Sequence, residues 1–152
     1  MGGDLCHHAG MLRPSPDLPL PREVHLHQES ESEYNNLRAQ RSKCPGAAFE
    51  QLNLKRGRKK DQPFFDPVVT IDLPVALETI KKAQKADADE DVLFVFAHDP
   101  DIAGVVDFFP ETANKWKKKG WAERVRWKFL SDLVPALEAV GADGGKVCKV
   151  VK

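Results

Sequence analysis

Five histidines and the acids beside them are the residues of this sequence whose types and spacing could do chemistry. Asp4-Leu5-Cys6-His7-His8 puts a carboxylate, a thiol and two imidazoles within five residues. That donor set suits zinc, iron or manganese. On spacing alone the plainer reading is a polar terminal tail. His25 and His27 form a pair whose rings would share one face of a strand, but Gln28, Glu29 and Ser30 follow where a further Asp-His would strengthen a metal reading. His98 ends an apolar run and precedes Asp99 and Asp101. The C-terminal end of a buried strand is where α/β folds place reacting groups. A histidine donating to a nearby backbone carbonyl fits the same position. The run Lys55-Arg56-Gly57-Arg58-Lys59-Lys60 has the make-up of a nuclear-localisation or phosphate-binding patch, and equally that of a solvated loop. Lys117 to Lys119 reads as a solvated face. Trp116, Trp121 and Trp127 are spaced as helix-to-core anchors rather than as a ligand box.

Elements must position these groups. Asp72 can cap a helix, its carboxylate accepting from the first free N–H groups. Pro74 is tolerated in the first turn, and Val75, Leu77, Ile80 and Ala83 supply an apolar stripe with Lys81, Lys82 and Lys85 towards the end. An acidic turn, Asp87 to Asp91, leads into Val92-Leu93-Phe94-Val95-Phe96-Ala97, which has the length and apolarity of a strand buried on both faces. Helix, short turn and strand in that order predict an α/β (α+β) fold. Residues 122 to 140 read as mostly helical, with Pro135 kinking or dividing the helix.

The first half is less regular. Seven of eleven prolines fall in the first 67 residues, and 13 to 66 is expected to be long Pro-rich and polar loop, with Cys44-Pro45-Gly46 as a turn and a short helix over Ala47 to Leu52. Residues 141 to 152 are expected to form a flexible, Gly-rich tail.

The 152 residues are about one domain's worth of chain. With 23 Lys+Arg against 23 Asp+Glu, the net charge is zero, which argues against a dedicated nucleic-acid or acidic-lipid binder. No apolar run approaches a membrane-spanning length of ~18 residues. The three cysteines include no CxxC pair and leave one thiol over in any disulfide scheme. A soluble, reduced protein of the cytoplasm is the expectation.

Two segments in order carry a resemblance. Gly2-Gly3-Asp4-Leu5-Cys6-His7-His8-Ala9-Gly10 leads into Arg13-Pro14-Ser15 and Leu18-Pro19-Leu20-Pro21. Phe94-Val95-Phe96-Ala97-His98-Asp99 leads into Val106-Asp107-Phe108-Phe109-Pro110, Ala113-Asn114 and Trp116. Together they resemble the metallo-β-lactamase-fold hydrolases, in the fungal-type branch related to N-acyl homoserine lactonases. The resemblance covers residues 2 to about 133 and implies the C-terminal half of an αβ/βα sandwich, occupying residues 1 to 140. It implies two zinc ions in the complete site, with Asp4 as the bridging carboxylate and His98 as a ligand of the second metal. It further implies hydrolysis of a small-molecule ester or lactone by metal-bound hydroxide. His7 stands where many lactonases carry a substrate-contacting tyrosine, so it becomes the candidate substrate contact or proton donor, with His8 in the pocket behind it.

The family's principal signature, His-x-His-x-Asp-His, is not in this sequence. His25 and His27 do not replace it, because they follow Asp4 rather than precede it. Two ligands cannot hold a catalytic zinc, which wants at least three from the protein. The expectation is therefore a truncated hydrolase, inactive as this chain alone and not retaining zinc, or else a non-enzymatic half-domain that associates with another polypeptide. An apolar face left uncovered would favour self-association.

Overall fold

In the computed structural model, residues 5–28, 40–140 and 147–151 are described. Contacts divide the chain into two compact units, one built from Met1–Pro19 and Asp61–Phe129, the other from Leu20–Lys60 and Leu130–Lys152. Mixed helix and sheet agrees with the expected class.

The second unit holds the sheet. Strand β1 (Glu23–Gln28) pairs antiparallel with β2 (Gln40–Pro45), Val24 opposite Cys44 and Leu26 opposite Ser42. Strand β3 (Lys149–Val151) pairs antiparallel on the other side of β2. The alternation expected of a half-buried strand is visible in β1, where Val24 and Leu26 are buried and Glu23 and His25 are exposed. Helix α1 (Gly46–Lys55) follows β2 directly, extending the short helix expected there. The Gly46 N–H donates to the Arg22 carbonyl at 2.9 Å, and a Cβ at Gly46 would overlap the Pro21 carbonyl. Glycine is thus required by close approach of two backbones. Phe49 and Leu52 of α1 are buried with Leu133, Val134 and Leu137. Helix α4 (Val134–Val140) packs on α1, and Lys55 Nζ donates to the Val140 carbonyl at 2.9 Å, placing a cation at the negative end of α4.

Three expectations change in this unit. The stretch 13–66, read as loop with one short helix, also carries two strands; β2 escapes a pattern search because only Cys44 among Gln40–Pro45 is a buried apolar residue. The tail read as flexible contains β3 among its described residues. Cys44 and Cys148 form a disulfide, 4.3 Å between Cα atoms, so two of the three thiols expected to be reduced are joined, leaving Cys6.

The first unit is helical and irregular. Helix α2 (Leu73–Asp87) begins as expected, Asp72 Oδ1 accepting from the Val75 N–H at 3.1 Å. Its buried face is Ile80, Ala83, Gln84 and Asp87, while Val75 and Leu77 of the anticipated stripe are largely exposed. Gln84 Nε2 donates to the Leu12 carbonyl at 2.9 Å. Phe64, Phe96, Trp121, Val125 and Phe129 complete the core. Trp121 is buried in the anchoring role expected of it.

The strand expected at Val92–Ala97 is not one. The segment is irregular, with only Phe96 buried. All three strands among the described residues belong to the other unit, so in its own unit the segment finds no described strand to pair with, and an apolar run becomes a strand only when it pairs. Residues 121 to 140 divide as Pro135 requires: helix α3 (Trp121–Val125), a 3-10 stretch at Lys128–Leu133, then α4. Pro135 sits in the first turn of α4, where its missing N–H costs nothing.

Candidate functional site

The N-terminal motif is anchored before it offers any chemistry. A 3-10 turn, Ala9–Met11, is capped by His8, whose Nδ1 accepts from the Gly10 N–H at 2.9 Å. The same imidazole lies edge-on to Phe65 and Phe129, with centroids 4.7 and 5.6 Å away. Accepting through Nδ1 leaves the proton on Nε2. His8 thus fixes the chain that carries His7.

Two residues on, Arg13 is buried and grips Asp87 at the end of α2. Nε donates to Oδ2 and Nη2 to Oδ1, each at 2.6 Å, and Nη1 donates to the Arg126 carbonyl at 2.8 Å. This bidentate geometry is the strong form of a charge-assisted bond. It ties the N-terminal motif to α2 and to the segment after α3. Sequence reading placed Asp87 in an acidic turn and missed its role; only the oddity of an arginine inside a Pro-rich apolar stretch hinted at a buried partner. Cys6, beside the pair, is buried, which pushes its thiol up to about 11, with Arg13 opposing the shift. A thiol held protonated is neither a nucleophile nor a ready metal ligand.

His7 is exposed and meets His98. Their rings are near-parallel, 14° apart in plane, with centroids 5.5 Å apart. His98 has φ +63, a left-handed conformation that histidine enters more readily than most side chains yet at some cost. The next residue, Asp99, caps a 3-10 turn (Pro100–Ile102), its Oδ1 accepting from the Asp101 N–H at 3.0 Å. Strained backbone, locally reinforced, delivers His98 to His7. The structure therefore brings together two of the three residues singled out from sequence. Asp4, the third, lies outside the described residues.

Of the other candidates, His25 and the basic run lie at the surface, and the His27 side chain lies outside the described residues. His25 Nε2 is 3.1 Å from Glu23 Oε1, and Lys43 donates to the same oxygen at 2.8 Å, which holds the Glu23 carboxyl below its usual range. The basic run from Lys55 is largely exposed. Among the described residues no helix is long and apolar enough to cross a membrane.

Whether these residues suit zinc can be tested by counting donors. Catalytic zinc takes three protein ligands and keeps a fourth position open. Among the described residues no group of three or more His, Cys, Asp or Glu side chains is placed to hold a metal. His7 and His98 supply two imidazoles, and the described residues do not amount to a complete site.

Comparison with known proteins now bears on this arrangement. A Fusarium pseudograminearum protein named gamma-lactamase is 38% identical over 151 residues, 97% of this chain and 34% of its own length. An Annulohypoxylon moriforme protein named metallo-hydrolase is 37% identical over 139 residues, 90% of this chain and 33% of its own. These relatives support a likeness to the C-terminal portion of a metallo-β-lactamase-fold hydrolase. The chain spans about a third of the length of these relatives. In a Penicillium roqueforti protein named cytochrome P450 monooxygenase, 36% identical over 141 residues, the matched region is only 13% of the whole, so this segment also occurs inside a much longer polypeptide. No family model matches the chain. No solved structure matches it.

Proposed function

We propose that this chain is the C-terminal part of a zinc-dependent hydrolase that opens a small cyclic ester or amide, and that it does not complete the reaction alone. The observation that carries the reading is the meeting of His7 and His98: the two motifs from which the family resemblance was drawn converge on one spot, although most of the chain separates them. The name of the Fusarium relative extends the substrate class from lactones to lactams. In enzymes of this kind the metal lowers the pKa of bound water and polarises the carbonyl. This chain's own residues have simpler parts. His98 presents a nitrogen donor from a rigid turn, and His7 presents an imidazole that can donate a hydrogen bond or a proton to a substrate carbonyl or leaving group. His8 and the Arg13–Asp87 pair hold the strand of chain that carries His7.

Two observations support incompleteness: the sequence has no His-x-His-x-Asp-His, and no group of three donors among the described residues is placed to hold a metal. The test is zinc content by elemental analysis, together with hydrolysis of a panel of γ-lactones, γ-lactams and aryl esters. The chain alone should hold no stoichiometric zinc and turn over none of them. Joined to the unmatched portion of the Fusarium relative, it should hydrolyse at least one, and His98→Ala should abolish that turnover. Tightly held zinc with turnover by the chain alone would overturn the incompleteness. A zinc-loaded joined protein that is inert on the whole panel would overturn the hydrolase reading.

A further inference from the structure

We propose that the Cys44–Cys148 disulfide is a redox clasp: it holds β3 on the edge of β2, and its reduction releases β3 while the rest of that unit stays folded. The bond joins the end of β2 to the residue just before β3, across 104 positions of sequence. Both cysteines belong to the same compact unit.

Beyond the bond, little holds β3. It is three residues long and pairs with Arg41, Ser42 and Lys43 of β2. Three residues is the short limit of strand length, and a short edge element at a chain end opens at little cost. Lys149, its first residue, is exposed. The remainder of the unit is joined by contacts that do not pass through the bond. Strands β1 and β2 pair over six residues each. Helix α1 packs on α4, with Phe49, Leu52 and Leu137 buried, and Lys55 reaches from α1 to the Val140 carbonyl. Opening the bond therefore frees one strand and leaves the packed helices and the β1–β2 pair in place.

The chemistry of opening is thiol–disulfide exchange. Cys44 is fully buried and Cys148 is 8% exposed, so Cys148 Sγ is the sulfur that a thiol reaches when β3 opens. A glutathione thiolate attacks it, forming a mixed disulfide and expelling Cys44 as a thiolate. A second glutathione thiolate attacks the glutathione sulfur of that mixed disulfide, forming glutathione disulfide and expelling Cys148 as a thiolate. Two electrons pass to the protein, and the two cysteine thiolates take up the protons that the two glutathiones gave up. Cys6 does not scramble the pair. It is buried in the other unit, with its thiol pushed up to about 11, and a protonated thiol does not attack a disulfide. Release of β3 opens a backbone edge along Arg41 to Lys43, of the kind that accepts another strand; oxidation covers it again. The clasp uses neither His7 nor His98 and is independent of the hydrolytic reading.

Hydrogen exchange read by mass spectrometry tests it, on the purified chain across mixtures of reduced and oxidised glutathione. Reduction should raise exchange at the β3 amides by about tenfold or more, leave α1, α4 and the β1–β2 pair protected, and reverse on reoxidation. Replacing both cysteines, Cys44→Ala with Cys148→Ala, should give the released state in every mixture. Protection of β3 that survives reduction would overturn the proposal, because backbone pairing alone would then hold the strand. Loss of protection in α1 and α4 together with β3 would overturn it too, making the bond a staple of the whole unit. So would a bond that no glutathione mixture opens, or a doubly substituted chain whose β3 still responds to glutathione.

Discussion

Asp87→Ala should be among the most damaging single changes in this molecule. Arg13 and Asp87 have side chains only 4% and 2% exposed. The arginine makes three hydrogen bonds, two of them to this one carboxylate. Truncating Asp87 leaves a buried guanidinium that keeps its bond to the Arg126 carbonyl. Removing one partner of a buried pair costs about 3–5 kcal/mol, because the surviving charge has already left water. For a chain of this size each kcal/mol moves the melting temperature by about 2–4 °C, so a fall of roughly 10 °C is expected. Asp87→Asn keeps the shape and one acceptor and should cost less. Replacing both residues, Arg13→Met with Asp87→Leu, removes the desolvation problem with the partner and should recover much of the loss. Urea and thermal unfolding followed by circular dichroism, without reductant, gives all four stabilities. If Asp87→Ala costs less than about 1 kcal/mol, the pair behaves as a solvated surface bridge, and its anchoring of the His7 motif is refuted.

Other outcomes follow from single groups. The Cys6 thiol, raised to about 11 from an ordinary 9.0, stays protonated in the folded chain where the unfolded thiol ionises. Its contribution to stability is therefore complete below about pH 9 and is lost as pH rises through about 11, amounting to roughly 2–3 kcal/mol; Cys6→Ala should flatten that part of the pH–stability curve. Thiol titration in denaturant without reductant should find one thiol, and after reduction three, because Cys44 and Cys148 are joined; three thiols at the outset would restore the reduced reading. Asp72→Ala removes the cap of α2 and should cost about 1 kcal/mol, measurable as a lower urea midpoint. His98→Gly relieves the positive φ and should leave stability unchanged or raise it by up to ~1 kcal/mol, while abolishing the turnover of the completed enzyme; a clear loss of stability would mean that the ring is a packing residue.

Local signals were legible and paired ones were not. The cap at Asp72, the start of α1 after Pro45-Gly46 and the division before Pro135 each depend on one residue's own stereochemistry, which sequence displays. The strand expected at Val92–Ala97 depended on a neighbour, and apolarity cannot announce that a neighbour is missing. Strand β2 failed in the opposite sense: its polar residues find β1 and β3 on either side, and pairing makes a strand that composition does not suggest. Of the site, the residue types of His7 and His98 were readable, whereas their stacking depended on a left-handed turn that nothing in Ala97-His98-Asp99 foretells. Asp87 shows the same limit, since an acid among acids gains its role only from an arginine 74 positions earlier.

The two units are interleaved along the chain, each assembled from one early and one late segment. This has a consequence for how the molecule is made. On the ribosome, the His7 and Arg13 segment emerges long before Asp87, His98 and Phe129, and the β1–β2 pair before Cys148 and β3. Neither unit can close while its second segment is still being synthesised, so early apolar residues such as Leu12, Val24 and Phe49 must wait uncovered in the nascent chain. Such a sequence favours shielding during translation by a chaperone, and it disfavours folding one unit at a time.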